Sequence, residues 1–148
     1  SRRDELLTVI EKVILLQGVD VFAEVPGDHL ANLAAIAEEV RVLEGDELYR
    51  EGESSDALFL VLEGRVSLSR GGRRVSEAGE GEAIGTWALF DEEPRLATAT
   101  AEEDSTLLRI DSEDFTDILA DHVQVAQGVI RTVARRLRGL AGRGGNGS

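Results

Sequence analysis

The sequence contains no cysteine and no methionine, and only one tryptophan and one tyrosine among its 148 residues. Without cysteine the chain can form neither a disulfide framework nor a thiolate zinc site. A chain of this length buries enough apolar surface to fold without either. We therefore expect a single hydrophobic core. Because there is no methionine and the first residue is Ser1, we expect a piece of a longer protein.

Long apolar runs are also absent. No segment approaches the roughly 20 apolar residues that cross a bilayer, and no signal-peptide pattern is visible. We expect no membrane insertion by this piece of chain. The predicted localisation is cytoplasmic, which includes the soluble domain of a membrane-associated parent protein.

Residues that carry common catalytic chemistry are scarce. The two histidines, His29 and His122, fall on predicted helices outside the β-rich region, so the strands have no imidazoles for a metal-binding cupin site or a Ser-His nucleophile. The only lysine, Lys12, lies in a predicted helix, which excludes a P-loop. Acidic residues are so numerous that close pairs are expected by chance. We predict no enzymatic activity, no catalytic residues, no metal site and no cofactor.

Charge is unevenly distributed along the chain. The net charge is −13, and residues 1–130 carry 11 basic and 29 acidic residues, a net charge of −18. Phosphate-backbone binding depends on clustered Lys and Arg, so this balance argues against nucleic acid as a partner. No helix-turn-helix follows the last predicted helix, which also argues against DNA binding.

Two helices are predicted before the β-rich region. Residues 4–16 form the first, and its core from Leu6 to Leu16 is too apolar for a helix with one buried stripe. We assign residues 1–19 as a helix that docks on the rest of the parent polypeptide. A second helix starts at Pro26-Gly-Asp28, with Asp28 as its predicted cap, and ends near Glu39.

Residues 40–110 change to short segments rich in Val, Leu, Ile and Thr, separated by glycines. This spacing is typical of an antiparallel sandwich or barrel. The segment Ala57–Leu62 is apolar throughout and predicts a strand covered on both faces, whereas 65–70 alternates and predicts a half-exposed strand. Gly71-Gly72 predicts a hairpin turn into 73–78.

The chain ends with two predicted helices, Glu113–Ala120 capped by Ser112, and about His122 to Leu140. The second carries an apolar seam at a/d spacing, which predicts either packing on the β unit or a homodimer. The seam residues are Val123, Ala126, Ile130, Val133, Leu137 and Leu140. The Gly-rich tail from Gly139 predicts a linker or frayed end, and we assign 140–148 as a disordered tail.

The segment Ile84–Thr98 is a candidate anion site. It follows a Gly-rich turn, contains one predicted helical turn at 85–90 and returns through Pro94-Arg95 to a strand at 97–101. The N-terminus of a helix offers free N–H groups to an anion, and an adjacent Arg adds a bidentate cation. From these residues alone, a Pro-Arg turn with an exposed Arg95 stays open as the alternative.

This segment resembles the phosphate-binding cassette of cyclic nucleotide-binding domains, commonly Phe-Gly-Glu-Leu-Ala-Leu, four variable residues ending near Pro, then Arg-Ala-Ala-Thr. Tyr49–Leu68 resembles the first strands of that family, with Gly52 and Gly64 at its turns. The resemblance covers about residues 20–139. It implies a mainly β domain with flanking helices: a jelly-roll-like antiparallel β-roll (double-stranded β-helix) with N-terminal helices and two C-terminal helices.

The resemblance also implies a ligand site, with cyclic AMP or cyclic GMP as candidate ligands. Arg95 matches the residue that pairs with the cyclic phosphate, and Thr86 stands where the family has a Glu that binds the ribose 2′-OH. Leu96 replaces a small residue and is expected to crowd the pocket, while Trp87 either packs in the core or covers the ribose site. The implied binding residues are Gly85, Thr86, Trp87, Ala88, Leu89, Arg95, Leu96, Ala97 and Thr98.

Two functions follow. The first is a regulatory domain of a larger protein that senses a cyclic nucleotide or related phosphate ligand and signals through its C-terminal helices. The second is a degenerate domain that has lost its ligand and acts as an interaction or assembly module through residues 4–16 and the apolar seam. The altered cassette and the apolar first helix favour the second, whereas the matched Arg95 favours the first.

Overall fold

A computed structural model describes residues 7–91 and 93–144. Helices flank eight strands. In chain order they are helix α1 (Val9–Gln17), a 3-10 turn (Asp20–Phe22), α2 (Gly27–Ile36), strands β1 (Glu38–Val42), β2 (Glu47–Tyr49), β3 (Ala57–Glu63), β4 (Val66–Arg70), β5 (Arg73–Ala78) and β6 (Ala83–Ile84), the 3-10 helix Thr86–Leu89, β7 (Thr98–Ala101), β8 (Ser105–Asp111), α3 (Ser112–Asp121) and α4 (Val123–Gly144).

The strands form two four-stranded sheets, ordered β1-β8-β3-β6 and β2-β7-β4-β5, and every pairing between them is antiparallel. The mainly β fold with flanking helices, an antiparallel β-roll, is therefore confirmed. The first five residues of β3 are buried, as their apolar run predicted. The β4–β5 hairpin turns at Gly71 and Gly72, whose φ angles of 59° and 82° suit a turn that twists with its strands.

The core has two parts because side chains of β3 alternate between the faces of its sheet. Ala57, Phe59 and Val61 point between the two sheets, where Val66 and Leu107 join them. Leu58 and Leu60 point the other way, into a core shared with the helices; it also contains Leu16, Phe22, Leu33, Phe115 and Val125. The helices thus cover the outer face of one sheet.

The first helix is shorter than predicted. Thr8 caps α1 and forms a capping box with Glu11, so the helix begins at Val9, while residues 4–6 lie outside the described residues. Leu16 is buried in the core, whereas Ile10 and Ile14 are 72% and 63% exposed. One part of the apolar surface of α1 therefore packs in the core of this domain, and another part is exposed.

Two predicted helix ends are wrong. The second helix ends at Ile36 rather than near Glu39, because Glu38 already pairs with Arg109 in the sheet. Its N-cap residue is Pro26, and Asp28 lies inside the first turn. These boundaries depend on strand pairing, which local sequence does not reveal.

The C-terminal helices also differ from the sequence prediction. Asp111, not Ser112, caps α3, since its carboxylate accepts hydrogen bonds from the N–H groups of Glu113 and Asp114 at 2.9 and 3.2 Å. Helix α4 continues through Gly139 to Gly144, so the expectation of a disordered tail is wrong for 140–144; residues 145–148 lie outside the described part of the chain.

The apolar seam of α4 does not pack on the β unit. The face of α4 that is buried contains Val125, Gly128, Val129 and Thr132, and it lies against the N-terminal helical segments and α3. Within the seam, Ala126 and Val133 are half-buried. The other seam residues are largely exposed: Val123 57%, Ile130 65%, Leu137 62% and Leu140 53%.

Candidate functional site

A cavity of about 840 Å³ lies where the cassette segment meets the β4–β5 hairpin. Seven of the nine predicted binding residues line it together: Gly85, Thr86, Trp87, Ala88, Arg95, Leu96 and Ala97. These residues come from two sides of the cassette loop, 85–88 and 95–97. The fold therefore brings together most of the site that the sequence resemblance implied.

Two predicted residues do not line this cavity. Leu89 is 4% exposed and belongs to the core between the helices and the sheet. The Thr98 hydroxyl accepts a hydrogen bond from the Glu51 N–H at 3.0 Å, which joins β7 to the loop after β2. Leu89 therefore anchors the cassette to the core, and Thr98 anchors it to the loop after β2.

Gly85 is required by both its conformation and its neighbours. Its φ of 72° lies in the left-handed region, where a side chain is strained. A Cβ added there would lie 2.4 Å from the Nη1 atom of Arg95 and 3.0 Å from the carbonyl oxygen of Ala57. The glycine therefore makes room for the Arg95 guanidinium.

Arg95 is the most buried charged group of the cavity, with 5% of the residue exposed. Its Nη2 donates to the Ala57 carbonyl at 2.8 Å and lies 3.4 Å from the Asp56 carboxylate. The Tyr49 ring lies under the guanidinium, 3.9 Å from its central carbon. The interpretation of Arg95 as an exposed turn residue is therefore wrong.

The Nε atom of Arg95 is buried and has no hydrogen-bond partner among the described residues. An unsatisfied buried donor is costly, roughly 1–3 kcal/mol and more for a charged group. The backbone around it is fixed, because the Arg95 N–H donates to Glu53 at 2.7 Å and its carbonyl accepts from Gly52 at 2.9 Å. Arg95 is thus held in place while its buried Nε has no acceptor among the described residues.

Four backbone N–H groups at the cavity also have no acceptor in the part of the chain that the structure describes. They belong to Thr86, Trp87, Leu96 and Ala97. Together with Arg95 they offer hydrogen-bond donors from both sides of the cassette loop. Such an arrangement suits an anion.

Trp87 does not pack in the core. It is 61% exposed and its ring centroid lies 6.1 Å from that of Phe90. Trp87 and Thr86 also line a second, smaller groove of about 320 Å³ against α4, together with Leu137 and Leu140. Trp87 therefore lies where the cavity and the C-terminal helix meet.

Leu96 does not fill the cavity. It is 74% exposed, so its side chain lies at the rim. Two acidic residues, Asp91 and Glu93, also line the cavity and oppose an anion, while Glu92 lies outside the described residues.

Other residues complete the cavity, and none of them was among the nine predicted binding residues. They are Tyr49, Ser55, Leu68, Arg70, Val75, Ser76, Ala83 and Ile84, with Pro94 beside the cassette Arg. Most lie on strands of the β-roll. The alternation of side chains along a strand predicts which face of the sheet a residue occupies, but not which neighbouring strand or segment it contacts.

Burial raises the pKa of the Tyr49 phenol above 10.0, and the positive charge of Arg95 lowers it by a smaller amount.

No cluster of three or more His, Cys, Asp or Glu suited to a metal ion occurs among residues 7–91 and 93–144. None of the helices described here is long and apolar enough to span a bilayer. The charged residues that line the cavity are two arginines, Arg70 and Arg95, and two acids, Asp91 and Glu93.

Solved structures support the fold and relate it to regulators. The N-terminal domain of a transcriptional regulator from Streptomyces coelicolor A3(2) superposes with a TM-score of 0.79 at 36% identity, covering 85% of this chain and 94% of that one. A cyclic nucleotide-binding-like protein from Brucella abortus superposes with a TM-score of 0.68 at 29% identity, covering 74% and 98%.

Sequence relatives include both enzymes and regulators. Lysophospholipase nte1 of Aspergillus fumigatus is 34% identical over 109 residues, covering 70% of this chain, and the chain spans only 7% of that relative's length. The cyclic AMP receptor protein of Thermus thermophilus is 37% identical over 100 residues, covering 64% of this chain and 46% of the relative. Residues 39–122, more than half of the chain, match the model of the cyclic nucleotide-binding domain, and the chain belongs to that family.

Proposed function

We propose that this chain is a regulatory domain that senses a cyclic nucleotide or related phosphate ligand in the cassette cavity. The observation that carries the proposal is Arg95, a buried guanidinium at the cavity whose Nε has no partner among the described residues. A ligand phosphate in the cavity would pair with this guanidinium. The free N–H groups of Leu96 and Ala97 lie at the same cavity and add further donors.

The relatives support a regulatory role. One is named a cyclic AMP receptor protein, and cyclic AMP and cyclic GMP are therefore the first ligands to test. Others are lysophospholipases that are many times longer than this chain. We propose that the chain regulates a larger protein and carries no catalytic residues of its own.

A path from the cavity to the C-terminal helices supports the proposed output. The Asp56 carboxylate lies 3.4 Å from Arg95, and the Asp56 carbonyl accepts a hydrogen bond at 2.9 Å from Ser112, the first residue of α3. Asp56 also lies 3.7 Å from Arg109, which contacts the α3 cap Asp111 at 3.5 Å. A ligand that draws Arg95 away from Asp56 would disturb this junction and, through it, α3 and α4.

A second function, an assembly module without ligand, is favoured by a different observation. The exposed residues Ile130, Leu137 and Leu140 form an uncovered apolar seam on α4. We propose that it pairs with α4 of a second copy. In a parallel pair Arg136, which lies 3.2 Å from Asp20 of its own chain, is placed opposite the uncharged Ala141 of the other helix, so no like charges meet there. The uncovered Ile10 and Ile14 of α1 offer a docking surface for the rest of the parent chain.

Calorimetric titration with cyclic AMP and with cyclic GMP distinguishes these functions. We expect the wild-type chain to release or absorb heat on binding, and Arg95→Met to lose about 10- to 100-fold in affinity because a charge-assisted hydrogen bond is lost. Arg41→Met, on β1 outside the cavity, is the charge-matched control. Circular dichroism checks that both variants remain folded.

The single tryptophan gives an independent measurement. Trp87 lines the cavity and is exposed, so its fluorescence should change on titration with a nucleotide. Absence of both heat and fluorescence change at millimolar concentrations of either nucleotide would reject the sensor proposal for these ligands. The assembly function would then be the better account.

A further inference from the structure

A second arginine, Arg70, lies at the cassette cavity although it is 25 residues from Arg95 in the chain. It is the last residue of β4, next to the Gly71-Gly72 turn, and its side chain is exposed. The sequence resemblance gave no role to this position. Its presence at the cavity depends on how the β4–β5 hairpin is placed against the cassette.

Arg70 is attached to the cassette itself. Its Nε donates a hydrogen bond to the Leu96 carbonyl at 3.0 Å, and Leu96 directly follows Arg95. A surface arginine is usually free to adopt many rotamers, and holding it in one costs conformational entropy. Here the bond to Leu96 already restricts the guanidinium at the cavity rim.

The remaining donors of Arg70 are unused. Among the described residues, its Nη1 and Nη2 atoms have no hydrogen-bond acceptor, and no carboxylate lies within 4.0 Å of it. Glu51 is the acidic residue near this turn, and its carboxylate accepts from the Gly71 N–H at 3.1 Å. Arg70 therefore keeps its charge available to a ligand.

The position of Arg70 in the hairpin also has an electrostatic cost. Arg70 lies directly opposite Arg73 across the hairpin, and like charges in that position are destabilising. Arg74, by contrast, contacts Glu77 at 3.0 Å. The hairpin tip thus carries two adjacent arginines beside one carboxylate, that of Glu51, and this excess of positive charge suits an anionic partner.

We propose that Arg70 is a second anion-binding residue of this cavity, which contacts the ligand phosphate or another anionic group of the ligand through its Nη atoms. The inference rests on the proposed ligand-sensing function. Arg95 is buried and shares its Nη2 with Ala57 and Asp56, whereas Arg70 lies at the rim with both Nη atoms unused. Arg70 thus adds a positive charge to the cavity that Thr86 also lines.

The test is calorimetric titration of the wild-type chain, Arg70→Met, Arg73→Met and Arg95→Met with cyclic AMP and cyclic GMP. Arg73→Met is the matched control, because it removes the same charge from the same hairpin but Arg73 does not line the cavity. We expect Arg70→Met to weaken binding about tenfold, since it removes a charge-assisted hydrogen bond. Arg73→Met should stay within about twofold of the wild type.

Thermal denaturation accompanies each titration, and Arg70→Met should remain folded because the residue is exposed. If the wild-type chain and Arg95→Met differ in affinity but Arg70→Met binds like the wild type, the role of Arg70 is wrong while the sensing function stands. An equal loss in Arg70→Met and Arg73→Met would also overturn it, because the effect would then be one of overall charge. If the wild type binds neither nucleotide, both proposals fail for these ligands.

Discussion

At the scale of single residues, the site depends on how tightly Arg95 is surrounded. Gly85 leaves space on one side of the guanidinium, the Tyr49 ring covers another, and the Ala57 carbonyl accepts from Nη2. Each of these neighbours belongs to a different segment of the chain. The arginine is consequently preorganised, and a ligand would not have to order it.

Thr86 gives a prediction of gained affinity. It lines the cavity at the position where the family has a Glu that accepts from a ribose hydroxyl. Thr86→Glu should tighten cyclic nucleotide binding about 10- to 100-fold, the range of a hydrogen bond to a charged group. Calorimetry measures this, with Thr86→Gln as the uncharged control. Equal affinities for Thr86→Glu and the wild type would show that the carboxylate is not what the site lacks.

Tyr49 gives a prediction of pH dependence. Burial raises the pKa of its phenol above 10.0, so the folded chain holds this proton more tightly than the unfolded chain does. The associated stability is fully present below pH 10 and decreases as the pH rises through the raised pKa. Because Tyr49 is the only tyrosine, absorbance at 295 nm reports its titration alone.

The same titration tests the contact between Tyr49 and Arg95. The positive charge of Arg95 lowers the phenol pKa, so Arg95→Met should raise this pKa further if the site stays folded. Arg41→Met should leave the titration unchanged. A lower midpoint in Arg95→Met would mean that the variant exposes the ring to water.

At the scale of elements, two of the four glycines of α4, Gly128 and Gly142, lie in contrasting environments. A Cβ at Gly128 would lie 2.8 Å from the Val25 Cα, whereas a Cβ at Gly142 would have no neighbour within 4 Å. Gly128→Ala should destabilise the domain by about 1–3 kcal/mol through overpacking. Gly142→Ala should stabilise it by up to about 1 kcal/mol through helix propensity. Urea denaturation measures both, and equal effects of the two substitutions would contradict the described packing of α4.

The same helix shows where local sequence reasoning failed. The glycines of the tail predicted that the chain would fray after Gly139, yet α4 continues to Gly144. Helix propensity is a weak preference that tertiary context overrides. The buried residues of α4, Val125, Val129 and Thr132, lie in its first half, and residues 140–144 continue the same helix.

At the scale of the whole molecule, pairing through α4 can be tested by cross-linking because the chain has no cysteine. In a parallel two-fold pair, a seam residue meets its own counterpart. Leu137→Cys should therefore form a disulfide-linked dimer under mild oxidation, while Arg138→Cys, on the adjacent outward position, should not.

Sedimentation of the unmodified chain provides the second measurement. We expect a concentration-dependent dimer, which Leu137→Glu should reduce to monomer because it places charge in the seam. A monomer at high concentration, with no cross-link at position 137, would reject pairing through α4. The ligand titrations do not depend on this result.

The sequence by itself determined the elements that local rules control. Alternating and continuous apolar runs identified β3 and β4, Gly71-Gly72 identified the hairpin between β4 and β5, and the cassette pattern identified Gly85 and Arg95. These features persist because side-chain period and backbone conformation act over a few residues. The same pattern identified seven residues that share one cavity.

Only the tertiary structure decided the contacts between distant segments. It placed the Arg95 guanidinium on the Ala57 carbonyl, brought Arg70 to the Leu96 carbonyl, and left the α4 seam exposed. It also decided between the two predicted positions of Trp87, which lies outside the core at the boundary between the cavity and α4. The reason is physical: which strands pair, and which face a helix turns to the sheet, follow from burial of the whole chain rather than from any short stretch of it.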